Sequence, residues 1–112
     1  MHILKVSSYP KMVSNIRSGT RYSVIRFHNK HCYRSQKFGE FLSKRSDLNI
    51  DVHEVDCDTN HGIARLYGVS LFPTSILLDG GIPVSKMEGL CETDHFLEFV
   101  ADVVILGRNP LD

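Results

Sequence analysis

The 112-residue chain lacks charge of one sign: thirteen lysines and arginines face thirteen aspartates and glutamates, so its formal net charge is zero. Without a positive field there is no electrostatic reason to expect nucleic acid or an anionic membrane as a partner. Long apolar runs are missing too. The stretch from Phe96 to Leu106 carries Glu98 and Asp102 and falls far short of the roughly 20 residues that a membrane-spanning helix needs. The opening Met1-His2-Ile3-Leu4-Lys5 has neither the apolar core nor the small-residue cleavage site of a secretory signal. Cysteine is scarce: Cys32, Cys57 and Cys91 leave one unpaired under any scheme, which suits a reducing compartment better than a disulfide scaffold. A cytoplasmic location is therefore the expectation. Internal repeats and low-complexity tracts are also absent.

What remains is the composition of an ordinary globular domain, with 42% hydrophobic and 23% charged residues. One domain over residues 1–107 and a loose tail over 108–112 are expected. Residues 2–6 read as a short strand. Ser8 then caps a helix with Pro10 in its first turn, Met12, Val13 and Ile16 on one face, and Gly19 as its stop. Residues 22–28 (Tyr-Ser-Val-Ile-Arg-Phe-His) are rich in β-formers and read as a central strand. A helix from about Cys32 to Arg45 follows, with Phe38, Phe41 and Leu42 as its buried stripe. Next come a strand from Leu48 to Val55, a short helix from Asn60 to Tyr67 ended by Gly68, and a strand from Thr74 to Leu78. Asp79-Gly80-Gly81 makes a tight turn into a hairpin partner, Pro83 to Met87. Thr93 caps a last helix carrying Phe96, Phe99, Val100 and Val103, which Gly107 ends. The order βαβαβαββα predicts an α/β fold, a mixed central sheet flanked by helices on both faces.

Cys32 sits where a strand gives way to a helix. The free N–H groups and positive pole of a helix N-terminus favour an anion, so the thiol there ionises more easily. Lys30, His31 and Arg34 add positive potential, and the Ser35 hydroxyl stands one turn on, able to donate to a thiolate.

The chain resembles the thioredoxin family. That family carries Trp-Cys-Gly-Pro-Cys at the start of its second helix and an apolar-Pro-Thr segment opening a later strand; here stand His31-Cys32-Tyr33-Arg34-Ser35 and Phe72-Pro73-Thr74. Val55-Asp56-Cys57-Asp58-Thr59-Asn60 is similar to the family's valine–aspartate stretch, and Tyr67-Gly68-Val69 to its tyrosine–glycine. Gly80 matches the hairpin glycine, and Gly89 the glycine after the last strand. The likeness covers roughly residues 3–105. It implies a thioredoxin fold, a cis peptide bond before Pro73, and Pro73 facing Cys32. It also implies a substrate segment held beside the sulfur by His31, Tyr33, Arg34, Phe72, Thr74 and Gly89. From the residues alone, the lesser alternative is a trans proline opening an edge strand.

The departures bear on function. Ser35 stands in place of the resolving cysteine, and a hydroxyl forms no disulfide, so Cys32 stops at a mixed disulfide unless another thiol arrives. Arg26 takes the position of a buried aspartate thought to manage that second cysteine's proton. It, like Lys30, favours thiolate if it reaches Cys32; the alternative is a side chain that runs out to solvent. His28 and His31 replace tryptophans, giving a more polar, pH-sensitive surface. Cys57 is either a remote resolving thiol or a structural cysteine, since a disulfide needs Cα atoms within about 7 Å. Cys91 is a weaker candidate. His28, His31, Cys32 and Cys57 match no closed zinc spacing, so neither metal nor cofactor is expected. His2, His53, His61 and His95 read as solvated surface residues, and Glu54, Asp56 and Asp58 as sheet-edge or cap residues.

The expected function is monothiol thiol–disulfide exchange and cell redox homeostasis, with Cys32 forming mixed disulfides with protein thiols or glutathione. The protein would be a monomer or a Cys32-linked dimer. The alternative is a redox-inactive protein-binding module on the same fold; a more remote one is metal or cluster binding through Cys32 with an external thiol.

Overall fold

Local chemistry accounts for the first helix. Ser8 is extended, and its Oγ accepts the backbone N–H of Lys11 at 3.4 Å, while Pro10 fills a first-turn position whose N–H would be unpaired anyway. In the computed structural model, which describes residues 2–29 and 49–89, this helix is α1, Tyr9–Ser18. Gly19 ends it, donating its N–H to Ile16 O at 3.4 Å. A Cβ on Gly19 would overlap the Asp51 carboxylate and come within 2.8 Å of Asn15 O. That carboxylate accepts the N–H of Thr20 at 3.1 Å, and Thr20 Oγ1 accepts the N–H of Asp51 at 3.0 Å, which ties the helix end to the neighbouring strand.

The strands are β1 (His2–Lys5), β2 (Tyr22–His28), β3 (Asp51–Asp56), β4 (Thr74–Asp79) and β5 (Ile82–Glu88), with the short helix α2 (His61–Leu66) between β3 and β4. They form one mixed sheet in the order β1-β3-β2-β4-β5. The first three run parallel, β4 is antiparallel to β2, and β5 is antiparallel to β4. Gly80 (φ 58°) and Gly81 (φ 85°) supply the two left-handed residues that a tight β4–β5 hairpin requires. β3 ends one residue later than the apolar pattern implies, because Asp56 still pairs with His28 in the ladder. The helices expected from Cys32 and from Thr93, and the tail over 108–112, lie outside the described residues.

Alternation along the strands sets two faces. Ile25, Phe27, Val55, Ile76 and Leu78 pack with Met12 of α1, with Ile63 and Ala64 of α2, and with Cys57 and Val69. Burying a side chain the size of Phe27 stabilises by about 2–3 kcal/mol, so this layer supplies much of the driving force. On the other face Val24, Arg26, Val52 and Leu77 are all buried.

Two sequence readings fail here. His53 is not a surface residue: it is 0% exposed, between Leu4 of β1 and Ile25 of β2. Glu54 does not lie at a sheet edge, because β3 has a strand on each side. A parallel interior strand is covered on both faces, so its polar residues do not alternate out to water. His2 and His61 are exposed, as expected.

Candidate functional site

In open α/β sheets, ligands collect at the carboxyl ends of the parallel strands. Here β2 ends at His28 and β3 at Asp56, while antiparallel β4 begins at the same edge with Thr74. The last β2–β4 pair is Phe27 with Thr74, so one further step sets His28 beside Pro73. Hydrogen bonds stitch this row together. Cys57 donates its N–H to His28 O at 2.8 Å, and Gly89 donates its N–H to Pro73 O at 2.8 Å. The Phe72–Pro73 peptide bond is cis, and Gly89 has a φ of 82°, a conformation that favours glycine. Thr74 is buried, its hydroxyl donating to Leu71 O at 2.7 Å across the loop, while Leu71 itself is 53% exposed. Phe72, Pro73, Thr74 and Gly89 thus stand together at one edge.

Beneath that edge lies an ionic cluster. Arg26, 2% exposed, donates from Nη1 to Glu54 Oε1 at 2.6 Å across the register pair of β2 and β3. Arg26 does not run out to solvent. The second oxygen, Glu54 Oε2, lies 3.0 Å from His28 Nε2. Burial pushes the Glu54 carboxyl up, but the His28 hydrogen bond and the Arg26 charge outweigh it and hold the group below its ordinary range. An ionised carboxylate only accepts, so Nε2 carries the proton of that hydrogen bond. Glu54 is the residue that sequence reading missed. The signal was present: an arginine inside an apolar strand requires an acid, and the adjoining strand offers Glu54.

Cys57 is buried in the same hydrophobic cluster as Phe27 and Ile63, with its Sγ 3.7 Å from Val55 O. Asp56 works as a turn residue, accepting the N–H of Asp58 on Oδ1 at 3.0 Å and that of Asn60 on its carbonyl at 2.9 Å. Lys30, His31, Cys32, Tyr33, Arg34, Ser35 and Cys91 lie outside the described residues. Among the described residues there is no group of three or more His, Cys, Asp or Glu able to hold a metal ion.

Comparison with known proteins agrees with this architecture. Protein disulfide-isomerase 5-1 of Arabidopsis thaliana is 32% identical over 75 residues, covering 65% of this chain and 51% of that protein. The chain thus spans about half the length of the curated relative it matches. Among solved structures, a mutant thioredoxin from Halobacterium salinarum is similar with a TM-score of 0.78 at 22% identity, over 90% of this chain and 89% of that one. Schistosoma mansoni thioredoxin gives 0.79 at 17% identity, over 92% and 96%. At these identities the structures speak for the fold. The thioredoxin family model matches residues 2–102, nearly the whole chain, and on that ground the chain belongs to the thioredoxin family.

Proposed function

We propose that this chain is a monothiol protein of thiol–disulfide exchange, with Cys32 as its reacting group. A thiol–disulfide redox role in general is supported by the family membership and by the disulfide-isomerase relative. The observation that carries the reading is the row formed by His28, Pro73 and Gly89 at the carboxyl edge of the sheet, because β2 leads from His28 toward Cys32 only four residues on.

The Cys32 thiolate attacks one sulfur of a substrate disulfide. The substrate S–S bond breaks, its second sulfur leaves as a thiolate and takes up a proton, and a mixed disulfide on Cys32 results. Ser35 has no sulfur with which to displace it. Release therefore requires an external thiol, from glutathione or another protein, which attacks the mixed disulfide in turn. Ser35 steadies the thiolate, and Phe72, Pro73, Thr74, Gly89, His31, Tyr33 and Arg34 flank the substrate. The working location is the cytoplasm, and the protein acts as a monomer or a Cys32-linked dimer.

The second reading, a binding module without turnover, is favoured by Arg26, a buried charge opposite in sign to the family's aspartate. Exchange on a protein disulfide, with mass spectrometry of captured adducts, separates the two. Exchange predicts adducts on Cys32 and no activity in Cys32→Ser; full activity in Cys32→Ser refutes it.

A further inference from the structure

Burial and isolation meet in one titratable side chain, His53. It is 0% exposed, and neither ring nitrogen has a hydrogen-bond partner among the described residues. Successive residues of a strand face opposite sides of a sheet, and register partners share a side. His53 therefore shares its side with its partners Leu4 of β1 and Ile25 of β2, and with Val55 two residues on. Ile25 and Val55 pack with Met12, so α1 covers this side. Charged groups there are few. β3 offers Asp51, whose carboxylate already accepts the Thr20 N–H at 3.1 Å, and β1 offers His2, exposed and 3.1 Å from Asn49 Oδ1. The residues of β2 on that side, Ser23, Ile25 and Phe27, carry no charge. Tyr9, Lys11 and Arg17 of α1 are exposed, as are His61 and Arg65 of α2. The remaining titratable side chains described in that layer are Cys57 and Tyr67. Arg26 and Glu54 lie on the opposite side.

An imidazolium carries two N–H donors and a charge, and no described group is placed to receive either hydrogen. Protonation therefore requires that the ring reach water. Among the described elements β1 is the lightest cover: it is outermost in the sheet and pairs with β3 alone, from His2–Asp51 to Lys5–Glu54. β2 has a strand on each side, and the end of α1 is pinned to Asp51 through Thr20. We propose that β1 is an acid-released edge strand: protonation of His53 parts β1 from β3, with residues 6–8 as the hinge and the other strands still paired. This device is independent of the chemistry at Cys32. The electrostatics run the same way. Burial holds the folded ring below its ordinary 6.5, with Asp51 opposing in part, whereas a ring opened to water titrates normally. The open form thus binds more protons. Its population rises as pH falls from 6.5 toward the folded-state value, by up to about 10-fold per pH unit.

Hydrogen exchange in the folded protein, followed by NMR at pH 6.5 and about one unit lower, tests this. That window stays above 4.5, so Glu54 keeps its charge. The reporter is the Val6 N–H just past β1, which donates to Glu54 O at 2.8 Å. Corrected for the intrinsic pH dependence of exchange, its protection should fall several-fold, up to about 10-fold, while amides of the β2–β4 ladder keep theirs. His53→Leu, which retains every other histidine, should hold Val6 protection constant across the window. An equal fall in both ladders, meaning global rather than local opening, overturns the proposal, as does a Val6 amide whose protection does not change. So does a fall of wild-type size in His53→Leu. The comparison of the two ladders needs only wild type and is decisive without the variant.

Discussion

Replacing His53 with leucine should stabilise this protein, against the usual outcome of a core substitution. His53 is fully buried, and neither Nδ1 nor Nε2 has a hydrogen-bond partner among the described residues. A neutral imidazole carries one donor and one acceptor, and leaving such a group unsatisfied in the interior costs about 1–3 kcal/mol each. Leucine removes both, at a packing cost of up to about 1.5 kcal/mol for a near-isosteric change. The expected net gain is at least about 0.5 kcal/mol and at most about 6 kcal/mol, or about 4 °C in Tm for each kcal/mol in a domain of this size. The pH dependence gives a second signature. Burial lowers the His53 pKa below its ordinary 6.5, and Asp51 only partly opposes this, so the unfolded chain binds the extra proton. The wild type therefore loses stability as pH falls from about 6.5 toward the folded-state value. His53→Leu should lack that slope, so its advantage grows in mild acid. Urea unfolding followed by circular dichroism, at neutral pH and about one unit below 6.5, reads both effects. A variant destabilised by more than about 1 kcal/mol with an unchanged acid slope would refute the reasoning.

Glu54→Gln should cost about 3 kcal/mol, the low end for breaking a buried ion pair, because glutamine still offers Arg26 an acceptor oxygen. Arg26→Met combined with Glu54→Leu should recover at least half of the summed single-variant losses, and strict additivity in urea unfolding would count against the pairing. Because the Glu54 carboxyl titrates below its ordinary 4.5, its contribution is complete above that pH and is lost as pH falls further; acid unfolding of Glu54→Gln should lack this component. Gly19→Ala should destabilise by about 1–3 kcal/mol, since the new Cβ meets the Asp51 carboxylate and a helix carbonyl. Thermal unfolding indistinguishable from wild type would contradict that packing.

Much of the frame was legible in the chain because local signals decide it. Ser8 and Gly19 bracket α1, Gly80-Gly81 turns the hairpin, and the β-rich run from Tyr22 to His28 is β2 itself. Reading failed where a residue's surroundings come from strands distant in sequence. His53 and Glu54 look solvent-bound in a polar–apolar alternation, yet β3 lies between β1 and β2, and the register alone brings Glu54 to Arg26. At the site, Phe72, Pro73, Thr74 and Gly89 were recognisable from their family pattern. The ring of His28 joined to Glu54 was not, since only the parallel pairing of β2 and β3 makes those two residues neighbours.

The central claim is that Cys32 offers a thiolate at neutral pH. Ultraviolet titration of thiolate absorbance, wild type minus Cys32→Ser, measures it directly. The account predicts a thiolate signal at neutrality that disappears in the variant. A difference signal that rises only around pH 8.5, like that of an ordinary cysteine, would contradict it.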